Sequence, residues 1–435
     1  MFCKDLRRLT CPDKRTRIDS VDLGVPALEG GRLKVQLPDP LSRQRARAII
    51  PIRSGVLGDS VAYQVQIHGP PIVWQTRIRV SQTPRKLPKY WQNACLPLHF
   101  LSTGSLQSFG SSGANIIMAL SHSRSRKITV IGAGNVGATV AECVARKDMV
   151  EEVVLVDIVE GMPQGKALDI QQSAPIHLFD THVTGSNSYE ATAGSEIGII
   201  TAGLPRKPGM SRDDLLSKNA QIVRSVTEQF VAGSPEAVLI VVSNPLDVMT
   251  YVAYSASSSP TGRVIGMAGV LDTARFRAFI AIELGVSVRD VQALLMGGHG
   301  DSMVPLPRYT TVSGIPLPEL MSAERINQLV DRTKFGGGEI VKLMGTSAWY
   351  APGAAAAEMA EAIVKDSGRL VPSAAWLNGE YGLNDIFIGV PVRLGRGGVR
   401  EVIEVELEED ERALLHASAE GVREMVQALD RLQAV

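Results

Sequence analysis

Cysteine is scarce in this 435-residue chain, and the four residues Cys3, Cys11, Cys95 and Cys143 form neither a CxxC pair nor a metal-ligand spacing. No disulfide framework and no metal site are expected, and a reducing compartment is the default. Long hydrophobic runs are missing too, since no stretch approaches the ~18–20 residues of a membrane span. The N-terminus "MFCKDLRRLTCPDKRTRID" is charged and lacks the apolar core of a secretory signal. A soluble, cytoplasmic protein without membrane contact is the expectation. Net charge is also absent, with 45 basic residues against 45 acidic, but the balance conceals a split. Residues 1–123 hold 17 basic and 7 acidic side chains, and the remainder holds 28 and 38. Overall neutrality therefore says little about partners.

The first 123 residues lack sustained helical or strand periodicity. They carry 10 of the 24 prolines and an arginine-rich stretch, "LSRQRARAII". A nucleic-acid surface interleaves aromatics within a recognisable module; neither is present, so no nucleic-acid partner is expected. Three readings stay open: a disordered basic extension, an organellar targeting segment, or upstream sequence read from a start codon placed too early. Asp5, Asp13, Asp19 and Asp22 weigh against targeting, because transit peptides are poor in acids. Met118, nine residues before the first strong strand, favours the third. No function is assigned to residues 1–117.

From Lys127 the pattern turns regular. "KITVIGAG" is an apolar run ending in glycines, "NVGATVAECVARKD" follows with helical spacing, and "VVLVDI" is a second apolar run. This is a βαβ unit. Further runs, "IGIITAG", "AVLIVVSNP" and "RVIGMAG", show no in–out alternation, as strands covered on both faces do. The segment "SRDDLLSKNAQIVRSVTEQFVAGSP" opens with a Ser–x–x–Asp capping pattern and repeats apolar residues at helical spacing. Beyond about residue 270 come longer helices and a hairpin, "IFIGVPVRLG" and "VREVIEVEL" around an "RGG" turn, then a terminal amphipathic helix. The fold class is α/β. A doubly wound parallel Rossmann sheet is expected over 124–269, and a mixed α+β substrate domain over 270–435.

"GAGNVG", residues 132–137, has the G-x-G-x-x-G spacing, with Gly132, Gly134 and Gly137 set among Ala133, Asn135 and Val136. It follows a strand and opens a helix, the context in which glycines let backbone approach a pyrophosphate and a helix N-terminus supplies N–H donors. Asp157, twenty residues past Gly137, ends the second strand, where a carboxylate accepts ribose hydroxyls and repels a 2′-phosphate. That favours NAD over NADP. On this half alone, an FAD or S-adenosylmethionine site stays open.

The chemistry-bearing residues lie further on. "LMGGHGDSMVP" sets His299 between glycines, which lets backbone and ligand come close, and imidazole suits proton exchange with an alcohol near neutrality. "GVLDTARFRAFIAIELG" puts Asp272 and Arg275 three apart on a helix, hence on one face. Asp272 is a candidate to orient His299, and the planar fork of Arg275 suits a carboxylate; a plain surface ion pair is the alternative. Asn244, in "VVSNPLD", stands just past a strand's carboxyl end, where open α/β sheets bind ligands. It is placed to hydrogen-bond the nicotinamide side and a substrate oxygen.

Taken in order, "VIGAGNVG", "LVDI", "ITAGLPRKPGMSRDDLL", "VVSNPLD", "GMAGVLDTARFR", "GGHGDSMVP" and "GTSAWY" resemble the lactate/malate dehydrogenase family, over about 70% of the chain from Lys127 onward. The texture is closest to the lactate-dehydrogenase-like branch of its malate-specific members. The resemblance implies NAD-dependent 2-hydroxy acid oxidation, with His299 as proton acceptor, Asp272 its partner and Arg275 the clamp on the C1 carboxylate. It further implies that Arg212, on a mobile loop, polarises the C2 oxygen. Asn219 and the segment Val242, Ser243, Asn244 would touch the cofactor, and Ser347 would lie near the substrate. A homodimer or homotetramer is implied, as is a place in the tricarboxylic acid cycle.

The loop "GLPRKPGMSR" carries a second arginine, Arg206, between prolines and glycines. A carboxylate in a closed pocket needs a paired cation. Lactate-type relatives usually carry glutamine at this position and malate-type relatives arginine. Arg206 is therefore expected to meet the distal carboxylate of a dicarboxylate, malate or oxaloacetate, beneath a lid hinged by its glycines and prolines. A lactate or broader 2-hydroxy acid specificity is the alternative.

Overall fold

The computed structural model describes residues 27–29, 32–34, 53–57, 60–69, 72–80, 125–204 and 212–433. The chain divides into two compact units, residues 1–112 and 113–435. In the first, β1 (Ala27–Glu29) pairs antiparallel with β2 (Arg32–Lys34). β3 (Arg53–Leu57), β4 (Ser60–Gly69) and β5 (Ile72–Val80) form an antiparallel meander. Little periodicity was expected here. The alternation of Val61, Tyr63, Val65 and Ile67 with Gln64, Gln66 and His68 is a period-two signal that this expectation passed over.

The second unit opens with β6 (Ser125–Ile131), α1 (Asn135–Arg146), β7 (Val150–Val156), α2 (Met162–His177) and β8 (His182–Ser186). It continues with β9 (Ile197–Ile200), α3 (Arg212–Gly233), β10 (Val238–Val241), α4 (Leu246–Ser257) and β11 (Val264–Gly266). All six strands are parallel, in the spatial order β8-β7-β6-β9-β10-β11. The order reverses at β6, which makes its carboxyl end the switch point where such sheets take ligands. The continuous apolar runs have a direct cause in packing. In β10, Val238 and Ile240 join the core that includes Val140 and Val144 of α1, whereas Leu239 and Val241 pack with Val223 and Phe230 of α3. Both faces are covered, so neither can be polar.

The remainder comprises α5 (Gly269–Leu284), β12 (Val291–Gln292), β13 (Leu295–Gly297), β14 (Met303–Pro305), β15 (Thr311–Val312) and β16 (Ile315–Pro316). Then follow α6 (Ala323–Met344), α7 (Tyr350–Val364), β17 (Arg369–Asn378), β18 (Asn384–Gly395), β19 (Gly398–Val402) and α8 (Glu409–Gln433). β12, β15 and β16 make a small separate sheet. β17 instead pairs antiparallel with β11, and β18, β13 and β14 extend the Rossmann sheet to eleven strands with β19. The expected hairpin is present, closing at Gly395 and Gly398, where φ is +96° at Gly398. Its second strand stops at Val402 instead of running on to Leu407. Ile403 N still donates to Pro391 O (2.8 Å), but from its carbonyl onward side chains take over: the Tyr381 hydroxyl donates to Ile403 O (2.9 Å) and accepts from Val405 N (2.9 Å), and Tyr309 Oη donates to Glu406 O (2.7 Å). Ser211, the expected helix cap, lies outside the described residues; the helix itself begins at Arg212.

Candidate active site

At the switch point the chain turns sharply from β6 into α1. Gly132 takes φ +104°, and a Cβ on Gly137 would lie 1.8 Å from Gly132 O, so only glycine lets the helix start this close to the strand. Gly134 behaves differently. Nothing lies within 4 Å of where its Cβ would be, which leaves its backbone open to a ligand beside the unpaired N–H groups of the first helical turn. Thr201, at the end of β9, donates from Oγ1 to Ile131 O (3.1 Å) and Gly132 O (3.0 Å) and pins the turn. Ala133 is buried, Asn135 exposed and Val136 partly buried.

A cleft of about 340 Å³ runs from Gly134 past Asp157, Ile158, Tyr189, Ile222 and Val226. Asp157 is held rigidly at its edge, accepting from Ala133 N (2.7 Å) and Val159 N (2.9 Å). A carboxylate offers about four acceptor sites, so two remain for hydroxyls. Burial and the nearby Asp157 charge hold the Tyr189 hydroxyl above its ordinary pKa, hence neutral. An open glycine backbone, a helix N-terminus and a fixed carboxylate at the second strand's end fit a dinucleotide with free ribose hydroxyls.

Across the switch point, Val242 N donates to Ile200 O (2.8 Å), and Ser243 Oγ donates to Ala202 O (2.6 Å). Asn219, buried on α3, accepts from Leu204 N (2.8 Å) and donates to Leu204 O (3.3 Å) and Asn244 O (2.8 Å). Its amide bonds backbone on both sides, tying Leu204 at the end of the β9 segment to the turn that bears Asn244. The Asn244 residue itself is exposed.

The acid–base cluster lies beyond. Asp272, in the first turn of α5 and 3% exposed, faces His299 on the turn after β13, with Nδ1 2.9 Å from Asp272 Oδ2. Sequence spacing had left this contact open across 27 positions; the fold closes it. Arg275 donates to Asp272 Oδ1 (3.4 Å) and to Thr333 O (3.0 Å). It runs across α6 at Gly336, where a Cβ would come within 2.5 Å of its Cδ. Burial disfavours the imidazolium of His299, but the charge and hydrogen bond of Asp272 and the charge of Asp247 outweigh it against the opposing Arg275. The His299 pKa therefore stands above its ordinary value.

Asp247, in the first turn of α4, was not singled out from sequence. It is 3% exposed, and its Oδ2 accepts the backbone N–H of His299 (2.9 Å). Burial, with the like charge of Asp272 and against the His299 contacts, pushes its carboxyl up to about 6. Ser418 of α8 accepts from Gly298 N (2.8 Å). Asp247 stood in the quoted "VVSNPLD", but an acid in a helix's first turn reads as a dipole partner, and nothing local reveals the loop that folds onto it. Ser347 is exposed on the connection between α6 and α7. Arg206 lies outside the described residues, as does the side chain of Arg212, the first residue of α3.

The sequence profile described as lactate/malate dehydrogenase, NAD binding domain matches residues 126–266, and that of the lactate/malate dehydrogenase, alpha/beta C-terminal domain matches residues 269–431. Malate dehydrogenase from Salinibacter ruber is 70% identical over 307 residues, which are 71% of this chain and 98% of that protein. The enzyme of the same name from Thermomicrobium roseum is 60% identical, over 71% of this chain and 99% of its own length. The solved structure of malate dehydrogenase from Salinibacter ruber superposes with a TM-score of 0.69 at 68% identity, covering 71% of this chain and 99% of that one.

Proposed function

The chain belongs to the lactate/malate dehydrogenase family, and from that premise we propose that it reversibly oxidises (S)-malate to oxaloacetate with NAD. The similarity to malate dehydrogenases along nearly their full length supports this substrate over lactate. The observation that carries the chemistry is the buried Asp272 carboxylate 2.9 Å from His299 Nδ1, which leaves the other ring nitrogen for substrate.

Bound NAD supplies the acceptor for the hydride leaving C2 of malate. Backbone from Gly132 to Gly137 (through Ala133, Gly134, Asn135 and Val136) would hold its pyrophosphate, and Asp157 its adenosine ribose. Val242, Ser243 and Asn244 would border the nicotinamide, and Asn219 would act on it by holding the Asn244 turn. His299 takes the hydroxyl proton, and Asp272 stabilises the imidazolium that results. Arg275 grips the C1 carboxylate, Arg212 polarises the C2 oxygen, Arg206 neutralises the distal carboxylate and Ser347 borders the substrate.

Three finer assignments belong to the same reading. Leu168, Ile176 and Leu178 on and after α2, and Phe335 and Leu343 on α6, are exposed, Leu178 by 84% and Leu343 by 78%. Large apolar side chains on helix faces support burial against a second copy, hence a homodimer or homotetramer. No helix among the described residues is long and apolar enough to cross a membrane. The scattered cysteines support the cytoplasm, and the reaction supports a place in the tricarboxylic acid cycle.

NADH oxidation measured at 340 nm tests the reading. Oxaloacetate is expected to exceed pyruvate in kcat/KM by roughly 30-fold to several-thousand-fold, the equivalent of about 2–5 kcal/mol for a buried cation left unpaired. Equal turnover of both would reduce the assignment to a general 2-hydroxy acid dehydrogenase.

A further inference from the structure

The turn that carries His299 is held from two directions by side chains outside the acid–base pair. Gly298 N donates to Ser418 Oγ (2.8 Å) on α8, and His299 N donates to Asp247 Oδ2 (2.9 Å) on α4. Gly298 packs closely against its neighbours: a Cβ there would lie 2.8 Å from Ser302 Oγ and 3.4 Å from Asp247 Oδ2. Asp247 is buried, and its second oxygen, Oδ1, has no hydrogen-bond partner among the described residues. A buried carboxylate oxygen left unpaired is costly, and the Ser418 hydroxyl shows that a neutral acceptor suffices to hold the neighbouring amide.

We propose that Asp247 is a positioning residue for the dehydrogenase reaction, tethering the His299 backbone and adding a second negative charge that favours the imidazolium. This rests on the reading of His299 as the proton acceptor. Among the described residues, the charged groups facing the ring are Asp272 and Arg275 from α5 and Asp247 from α4. Arg275 opposes the imidazolium, so Asp272 alone does not set its stability. Asp247 shifts the balance toward the protonated ring that oxaloacetate reduction requires, and the tether keeps Nδ1 on Asp272 while that proton comes and goes.

Tether and charge separate experimentally. Asp247→Asn keeps an acceptor for His299 N but removes the charge; Ser418→Ala removes the neighbouring tether and leaves all charges in place. In Asp247→Asn the pH profile of kcat/KM is expected to move down by roughly one unit, the size of a nearby-charge effect. Plateau kcat and NADH affinity are expected to stay within about threefold of wild type. In Ser418→Ala the profile is expected to stay put while kcat falls by about three- to tenfold, within the range of one lost hydrogen bond. Superimposable profiles for wild type and Asp247→Asn would overturn the proposal.

The His299 Cε1–H resonance, followed by NMR from pH 5 to 9 in both proteins, reads the same shift without turnover. An inactive or poorly active variant is therefore still decisive. A resonance that shifts between the two proteins, when wild type itself does not reduce oxaloacetate, would sink the dehydrogenase reading and leave the Asp247–His299 coupling standing. An unshifted resonance in an active enzyme would do the reverse.

Discussion

His299→Asn is expected to lower kcat for oxaloacetate reduction by about 10²- to 10⁴-fold, the range of one positioned general acid, while NADH still binds. The reason is local. His299 stands on the turn after β13, away from the glycine cradle between β6 and α1 and from the Asp157 cleft, so its removal touches neither. Fluorescence titration with NADH and stopped-flow single turnover separate the two outcomes. Joint loss of binding and turnover would mark a structural histidine.

The pH dependence has a definite sign. Malate oxidation needs the neutral ring and oxaloacetate reduction the protonated one. Because Asp272 and Asp247 hold the His299 pKa above its ordinary value, the oxidation limb is expected to fall as pH drops through a pKa above the usual 6.5. The reduction limb should persist up to the same point, and both limbs should vanish in the variant.

Arg206→Gln is expected to change the preferred substrate. Under the proposed roles, oxaloacetate brings two carboxylates into a pocket whose Arg275 accounts for one. With glutamine at position 206 the distal carboxylate loses its cation. The expected loss on oxaloacetate is about 2–5 kcal/mol, or roughly 30-fold to several-thousand-fold in kcat/KM. Pyruvate, which has nothing to offer Arg206, should gain, because the variant no longer closes over an unpaired charge. Steady-state kinetics on both acids with NADH measure the ratio directly. A ratio unchanged from wild type would remove Arg206 from the substrate site.

The parts that read well in one dimension are those whose physics is local. "GAGNVG" states its own turn because a Cβ on Gly137 meets Gly132 O, and "AVLIVV" states its burial because β10 is covered on both faces. Asp157 and the Asp272–Arg275 pair were legible as types at a spacing. The 2.9 Å contact between His299 and Asp272 was not, since it depends on how the β13 turn packs on α5. Asp247 and Ser418 were illegible for the same reason: they act on a backbone 52 and 120 residues away. Asn219 shows the opposite limit. The resemblance implied a cofactor contact for it, and pattern alone gave no hint that its amide bonds Leu204 and Asn244. The continuity of the two expected domains through one sheet also lay beyond local pattern, because a single pairing of Gly266 with Ala374 joins them.

A structure of the enzyme with NADH and (S)-malate, a pair that cannot exchange hydride, bears most directly on the proposed pairing of Arg206 with a second carboxylate. The expected result is Arg206 within hydrogen-bond distance of the distal carboxylate, Arg275 on the C1 carboxylate and the free nitrogen of His299 on the C2 oxygen. An Arg206 side chain turned out to solvent above a closed, fully bound malate would contradict it.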